Sequence, residues 1–342
     1  MLHFLSSLFT TSNRRDDPVD KALLERATER VVEGSDPRLR ALPGYGRRLR
    51  APVETAVRHV IDLVGRLPEP AEISRQAFRN DPRLRAFFVS PEHLQETMAG
   101  CPMMSDYLRG AKPAAGDAIF GLLSMTRSEK NVLGMDLRGD TLQREVAQVA
   151  VNFSDHRYLG PSGDETETRR ELMRRGFDFL IEKALASIIA ARSKKAELDQ
   201  QRQLLQRKLR AMEAGSWGLE AAFAPSEAGP TDLAALEAEI QAVENELLAL
   251  GSKPHALEHS LEHIGATLGD PARWLDMRSV SLELSPMSVK AGPGTTGRSC
   301  QLELTELFSA SGQQRTVLLG RFPAQDLPPR PDFMEEAARW LG

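Results

Sequence analysis

Three histidines, His255, His259 and His263, recur every four residues beside Glu258 and Glu262. On a helix, imidazoles at i and i+4 share a face and can share a metal ion, and a third widens the choice. The apolar stripe of the same helix, Leu257, Leu261, Ile264 and Leu268, points roughly the other way. The first expectation is therefore a polar face turned to solvent or to a partner, with a metal or pH-responsive contact as the alternative. The spacing lacks HExxH, so metalloprotease chemistry is not supported.

A second chemical segment, Asp155-His156-Arg157, follows an alternating stretch and has Asp164 and Glu165 nearby. A histidine at a strand end beside acids can act as a general base, and this gives the enzyme reading its centre, His156. No GxSxG motif supplies a nucleophile. The string Gly292-Pro293-Gly294-Thr295-Thr296-Gly297-Arg298-Ser299 resembles a phosphate loop, but such a loop needs a helix directly after its glycines, and Cys300 to Leu304 alternates like a strand. A glycine-rich hairpin loop is the better reading. Cys101 and Cys300 are too few for a disulfide framework and lack zinc-site spacing, which fits a reducing cytoplasm. No catalytic residue, resident metal or cofactor is assigned on these grounds.

The charges are distributed unevenly. The net charge of −4 is a +5 first part, residues 1–213, against a −9 remainder. The excess of Arg in the first part, including Arg38, Arg40, Arg47, Arg48 and Arg50, supports a nucleic-acid-binding alternative, because Arg pairs bidentately with phosphate. No run of 18 apolar residues occurs, so no transmembrane helix is expected. Leu2, Phe4, Leu5, Leu8 and Phe9 would share one helical face; docking on the body, or disorder, is favoured there over contact with a membrane surface.

The elements that must position these residues are marked by their ends. Asp17-Pro18, Asp36-Pro37, Asp81-Pro82 and Asp270-Pro271 each read as a helix start, with Asp accepting first-turn N–H bonds and Pro lacking the N–H that would go unpaired. Two of them share DPRLRA, which reads as convergent capping. Val53 to Val64 carries a helical stripe closed by Pro68 and Pro70. From Asp117 the period becomes two. Ile119 to Met125, then Leu133 to Leu137, then Val149 to Phe153 suggest a meander turning at Ser128–Asn131 and again at Arg138–Asp140, although Leu142 to Ala150 also fits a helix. Val280 to Leu284, Leu302 to Leu304 and Thr316 to Phe322 are further strands, and since a small strand group is marginal alone, both groups are expected in one sheet.

The most specific pattern lies between them. Phe177, Ile181, Ala184, Ile188, Ala191, Lys195, Leu198, Arg202, Leu205, Leu209 and Met212 follow heptad spacing, and Leu233, Leu236, Ile240, Val243, Leu247 and Leu250 do so again. Residues 192–210 carry net +5 and residues 231–250 net −5, so the two stretches match each other in an antiparallel hairpin. Lys195 and Arg202 occupy seam positions, with their heads expected to reach the acidic arm. Trp217 and Phe223 lie on the tip, 214–230. These four are the candidate partner-binding residues.

The sequence thus indicates an α+β protein: a helical N-terminal region packed on an antiparallel sheet, with a long antiparallel coiled-coil hairpin inserted between two groups of strands. The segments are 1–16, flexible or docked; 17–165, helices and first meander; 166–250, long helix and arm; and 251–342, a short helix and the strands completing the body. The expected function is that of a non-enzymatic cytoplasmic interaction or scaffold protein binding another macromolecule through the arm.

Overall fold

The computed structural model describes residues 19–111, 113–114, 116–138, 141–213, 230–249, 256–290 and 299–327. The expected contacts at residues 2–9, Trp217, Phe223, His255 and the Gly292–Gly297 loop lie outside the described residues. The architecture is α+β. Helices α1 (Lys21–Gly34), α2 (Tyr45–Gly65), α3 (Arg75–Asn80), α4 (Pro82–Phe87), α5 (Pro91–Gly100) and α6 (Pro102–Ala111) precede strands β2 (Ala118–Arg138) and β3 (Thr141–Ser162). The two-residue strand β1 (Ala71–Glu72) lies between α2 and α3. Then come α7 (Glu165–Glu213), α8 (Pro230–Ala249), α9 (Ala256–Gly269), the single turn α10 (Pro271–Trp274), and strands β4 (Asp276–Leu284), β5 (Cys300–Phe308) and β6 (Gln314–Pro323). No helix among the described residues is long and apolar enough to cross a membrane.

The two strand groups form one sheet, in the order β3-β2-β6-β5-β4, with β1 added parallel to β6. β6 lies antiparallel to β2 and to β5, so the late strands join the early ones across α7, α8 and α9, which intervene in the chain. The turn expected at Ser128–Asn131 does not form. Those four residues pair with Asn152, Val151, Ala150 and Val149, and β2 and β3 are a single long hairpin rather than a three-stranded meander. Turn propensity is a weak local preference, and a continuous ladder with Val151 and Phe153 buried overrides it.

The chain divides into two compact units. The first holds Arg58–Phe177 and the chain from Pro271 onward. One face of its sheet packs on α4, α5 and α6 through Leu84, Phe88, Met98 and Met104 against Leu123, Met125 and Phe322; the other packs Leu122, Val317 and Leu319 on Leu63, Val64 and Leu172. Tyr158 packs on the paired glycines Gly121 and Gly320; a Cβ at Gly121 would collide with the Tyr158 ring, and one at Gly320 with Ile73. Its hydroxyl lies 3.0 Å from the carbonyls of both Ile119 and Gly320 and shares its one proton between them. Burial pushes that phenol well above its ordinary pKa.

The second unit holds α1, the short turn Pro37–Ala41, the start of α2, and Asp178–Asp270. The expected start at Asp17-Pro18 lies outside the described residues; α1 itself is capped by Asp20, whose carboxylate accepts from the Leu23 N–H at 2.6 Å. The twin DPRLRA strings do share one device. Asp36 and Asp81 each accept from the N–H two residues on, and each also pairs bidentately with that residue's guanidinium, Arg38 and Arg83. One string then makes a 3₁₀ turn and the other an α-helix.

Candidate functional site

The arm is built from α8 and the part of α7 that follows Phe177, both in the second unit. α7 runs for 49 residues, with Ile181, Ala184, Ile188 and Leu198 buried at the heptad positions. α8 spans 20 residues and buries Leu236, Ile240, Val243 and Leu247. Leu198 and Leu205 pack with Val243 and Leu247, so the two seams meet each other. The Lys194 ammonium lies 2.6 Å from Glu246, which holds the lysine's pKa above its ordinary value, and Gln206 donates to Glu244 at 3.3 Å.

The other charges of the arm are arranged differently from expectation. Arg202 does not extend across to α8: its guanidinium bonds Asp199, one turn back on its own helix, at 3.2 Å, and its Nε is buried without a hydrogen-bond partner. Asp199 lies one turn back on the same helix, and a local ion pair costs less chain ordering than one that spans the hairpin. Lys195 is half-buried at its seam position. Arg207, Lys208 and Arg210 on α7, and Glu237 and Glu239 on α8, are exposed. Leu204 and Leu248 are 56% and 76% exposed on the same two helices.

Where the arm begins, a polar junction fixes α7. Asp36 is buried and receives Arg192 from α7 at 2.7 Å in addition to Arg38. The same Arg192 nitrogen donates to Ser260 of α9 at 3.0 Å. The guanidinium of Arg38, with that of Arg192, holds the Asp36 carboxyl far below the usual carboxylate range. Arg30 of α1 grips Asp178 of α7 through two 3.0 Å bonds. Sequence reading takes Asp36 only as a cap; the sole hint of more is a seam-flanking Arg with no acid within four residues on its N-terminal side.

The histidine face of α9 is corrected as well. His263 is half-buried rather than wholly turned to solvent, its Nδ1 lying 3.0 Å from the Ser187 hydroxyl of α7, while His259 lies 3.2 Å from Glu262. The apolar stripe is buried as expected at Leu261, Ile264 and Leu268, but a helix packed on a neighbour brings its flanking positions into contact too. Among the described residues no group of three His, Cys, Asp or Glu could hold a metal.

The segment around His156, in the first unit, does not assemble as general-base chemistry requires. Asp155 and His156 form a bulge, two residues set against Met125, with Asp155 at φ 52°. The bulge sends Asp155 away from the imidazole, to Arg315 at 2.6 Å. The His156 ring stacks on Phe88 with centroids 4.9 Å apart, and its Nε2 donates to the Phe87 carbonyl at 2.9 Å. Burial lowers its pKa, with the Phe87 carbonyl opposing. The Cys101 thiol lies 3.9 Å from the His156 carbonyl rather than near its ring, and burial raises its pKa. The ring is held by packing and by the Phe87 carbonyl, and among the described residues no carboxylate bonds it.

Two other sequence expectations are placed. β5 begins at Cys300, immediately after the glycine-rich string, so the helix a phosphate loop needs is replaced by a strand. Arg38 and Arg40 are engaged with Asp36 and Glu29, whereas Arg47, Arg48 and Arg50 are exposed early on α2. A buried charge pair escaped sequence reading: Glu306, 0% exposed, lies 3.0 Å from Arg127 and 3.5 Å from Arg278. Its signal was available, because Glu306 continues the buried phase of Leu302 and Leu304. Compared with protein-family models, with curated proteins and with solved structures, the chain finds no match.

Proposed function

We propose that the protein is a non-enzymatic interaction or scaffold protein of the cytoplasm that binds another macromolecule, most simply a protein, through the α7–α8 arm. One observation carries this reading. The contacts between the arms use Lys194, Glu246, Gln206, Glu244 and the apolar seam, while Arg207, Lys208 and Arg210 on one helix and Glu237 and Glu239 on the other stay exposed. A hairpin held together by its seam therefore offers a basic face and an acidic face to a partner, and complementary charge steers such encounters. Leu204 and Leu248 supply apolar contact beside them. Lys195, Arg202, Trp217 and Phe223 remain the proposed contact residues.

The test is affinity capture from cells with the full chain and with a variant in which residues 193–250 are replaced by a short Gly/Ser turn. The partner set is expected to be lost from the variant while the far-ultraviolet spectrum of the sheet persists. Capture of the same partners by both proteins would overturn the reading.

A further inference from the structure

The sheet of the first unit has one stretch of strand edge that no described strand covers. Along one edge, β6 pairs with β2 from Met125 to Ala118 without interruption. Along its other edge the partner changes. Gln314–Val317 pair with Phe308–Thr305 of β5, and Gly320–Arg321 pair with Ala71–Glu72 of β1. Continuing the β5 register would set Leu302 and Gln301 against Gly320 and Arg321, the positions that β1 already holds. β5 therefore separates from β6 beyond Thr305, and its stretch Cys300–Leu304 has β4 on one side and no described strand on the other.

The gap so formed is a cavity of about 740 Å³, with Ala71 and Glu72 along one wall and Gln301, Leu302 and Glu303 along the other. A smaller cavity of about 360 Å³ continues past Cys300, sharing Pro82 and Leu302 with the first. A strand with one edge unpaired offers alternate N–H and C=O groups to any extended chain beside it. The open stretch accommodates roughly four residues at about 3.3 Å each.

We propose that this gap receives an extended, basic peptide segment of another protein as an added strand. Charge selects the occupant. The larger cavity contributes Glu72, Asp81 and Glu303 against Arg83, whose guanidinium is already engaged with Asp81 at 2.7 Å; the smaller one adds Arg85, so the acidic character is concentrated at Glu72 and Glu303. The chain's own continuation after Leu327 reads Pro328-Pro329-Arg330-Pro331, and three prolines in four residues cannot donate to a ladder. Strand addition takes its affinity from the main chain and its selectivity from side chains at alternate positions, so alternating Lys or Arg beside Glu72 and Glu303 is the matching pattern.

The test uses the full-length protein and three synthetic octapeptides: alternating Lys-Val, the same peptide N-methylated at every Val, and alternating Glu-Val. Amide hydrogen exchange at Gln301–Leu304 is expected to slow with the first peptide alone. The double variant Glu72→Lys/Glu303→Lys, both exposed positions, is expected to weaken that peptide by on the order of tenfold. Absence of slowing at Gln301–Leu304, slowing only along the β3 edge, equal slowing by the acidic or N-methylated peptide, or an unchanged affinity in the double variant would each overturn the proposal. Removal of 193–250 should leave the result unaltered, so this surface and the arm fail or stand separately.

Discussion

The two units are held together by different chemistry. In the sheet unit, cohesion comes from apolar layers on both faces of one sheet, and the polar groups inside it, the Tyr158 hydroxyl and Glu306, meet partners one or two strands away. In the helical unit the apolar seams are narrower, and the relation of one helix to the next is set by directed polar contacts: Arg30 with Asp178, Arg192 with Asp36 and Ser260, Ser187 with His263. Apolar burial is strong but nondirectional, whereas a bidentate ion pair is modest in energy and strict in geometry. The sheet unit should therefore respond most to lost volume, and the helical unit most to lost polar partners.

The largest effect is expected from Phe322→Ala. Phe322 is fully buried between β2 and the helices of its layer, and deleting a buried ring costs about 3–5 kcal/mol. Urea unfolding followed by hydrogen exchange should show the amides of β2 and β6 losing protection together, with those of α8 and α9 little changed. Equal loss in both units would mean that the two cohere as one.

Glu306→Ala comes next. Removing the carboxylate leaves Arg127, 17% exposed, without its closest partner, and breaking a buried pair in this way costs about 3 kcal/mol. Glu129 at 3.3 Å offers Arg127 a second carboxylate and limits the loss. The double change Glu306→Leu/Arg127→Leu should recover much of the stability, because an apolar pair of similar volume restores packing without desolvated charge. A double variant no better than the single one would show that the pair itself holds the sheet's register.

Asp36→Asn tests the polar junction, with an expected cost of about 2 kcal/mol from weakened charge-assisted bonds to Arg38 and Arg192. Its pH dependence separates the units. Asp36 titrates lower in the folded than in the unfolded chain, so its contribution is complete above about pH 4 and is lost as pH falls through and below that value. His156 is also lowered, but for a histidine this means that the unfolded state gains the proton first, so the sheet unit begins to lose stability as pH falls through about 6.5. Acid titration read by hydrogen exchange should therefore loosen the β3 region before the α1–α7 junction, and Asp36→Asn should flatten only the later phase.

These contrasts also explain what the sequence makes legible. The heptad run from Phe177 to Met212 marks a long helix within 166–250, and α7 is Glu165–Glu213, because burial every three or four residues leaves a periodic trace. The late strands and their union with the early ones follow from two-residue alternation and the weakness of isolated strands. The continuation of β2 through Ser128–Asn131 does not follow, since it depends on partners some twenty residues away. Nor does the junction of Asp36 with Arg192, 156 residues apart, or the gap beside β5, which arises because β1 occupies positions on β6 that β5 would otherwise take. Local periodicity is written in the chain; pair identity across it is written only in the fold.

The smallest expected effect has the opposite sign and bears on the arm directly. Arg202 occupies a seam position with its Nε buried and unpartnered, and among the described residues its guanidinium bonds Asp199 on the neighbouring turn. Arg202→Leu removes that unsatisfied group and extends the apolar seam formed by Leu198 and Leu205, so the hairpin should gain about 1 kcal/mol. Arg202→Ala, which removes the group without filling the seam, should gain less. A charged seam residue that costs stability needs a reason to be there, and partner contact is the reason proposed above. If so, Arg202→Leu should raise the midpoint of thermal unfolding of α7 and α8 while lowering capture of the arm's partner. A stabilised hairpin that captures its partner as well as before would leave Arg202 a determinant of helix register and move the contact surface to the exposed faces of Arg207, Lys208 and Arg210.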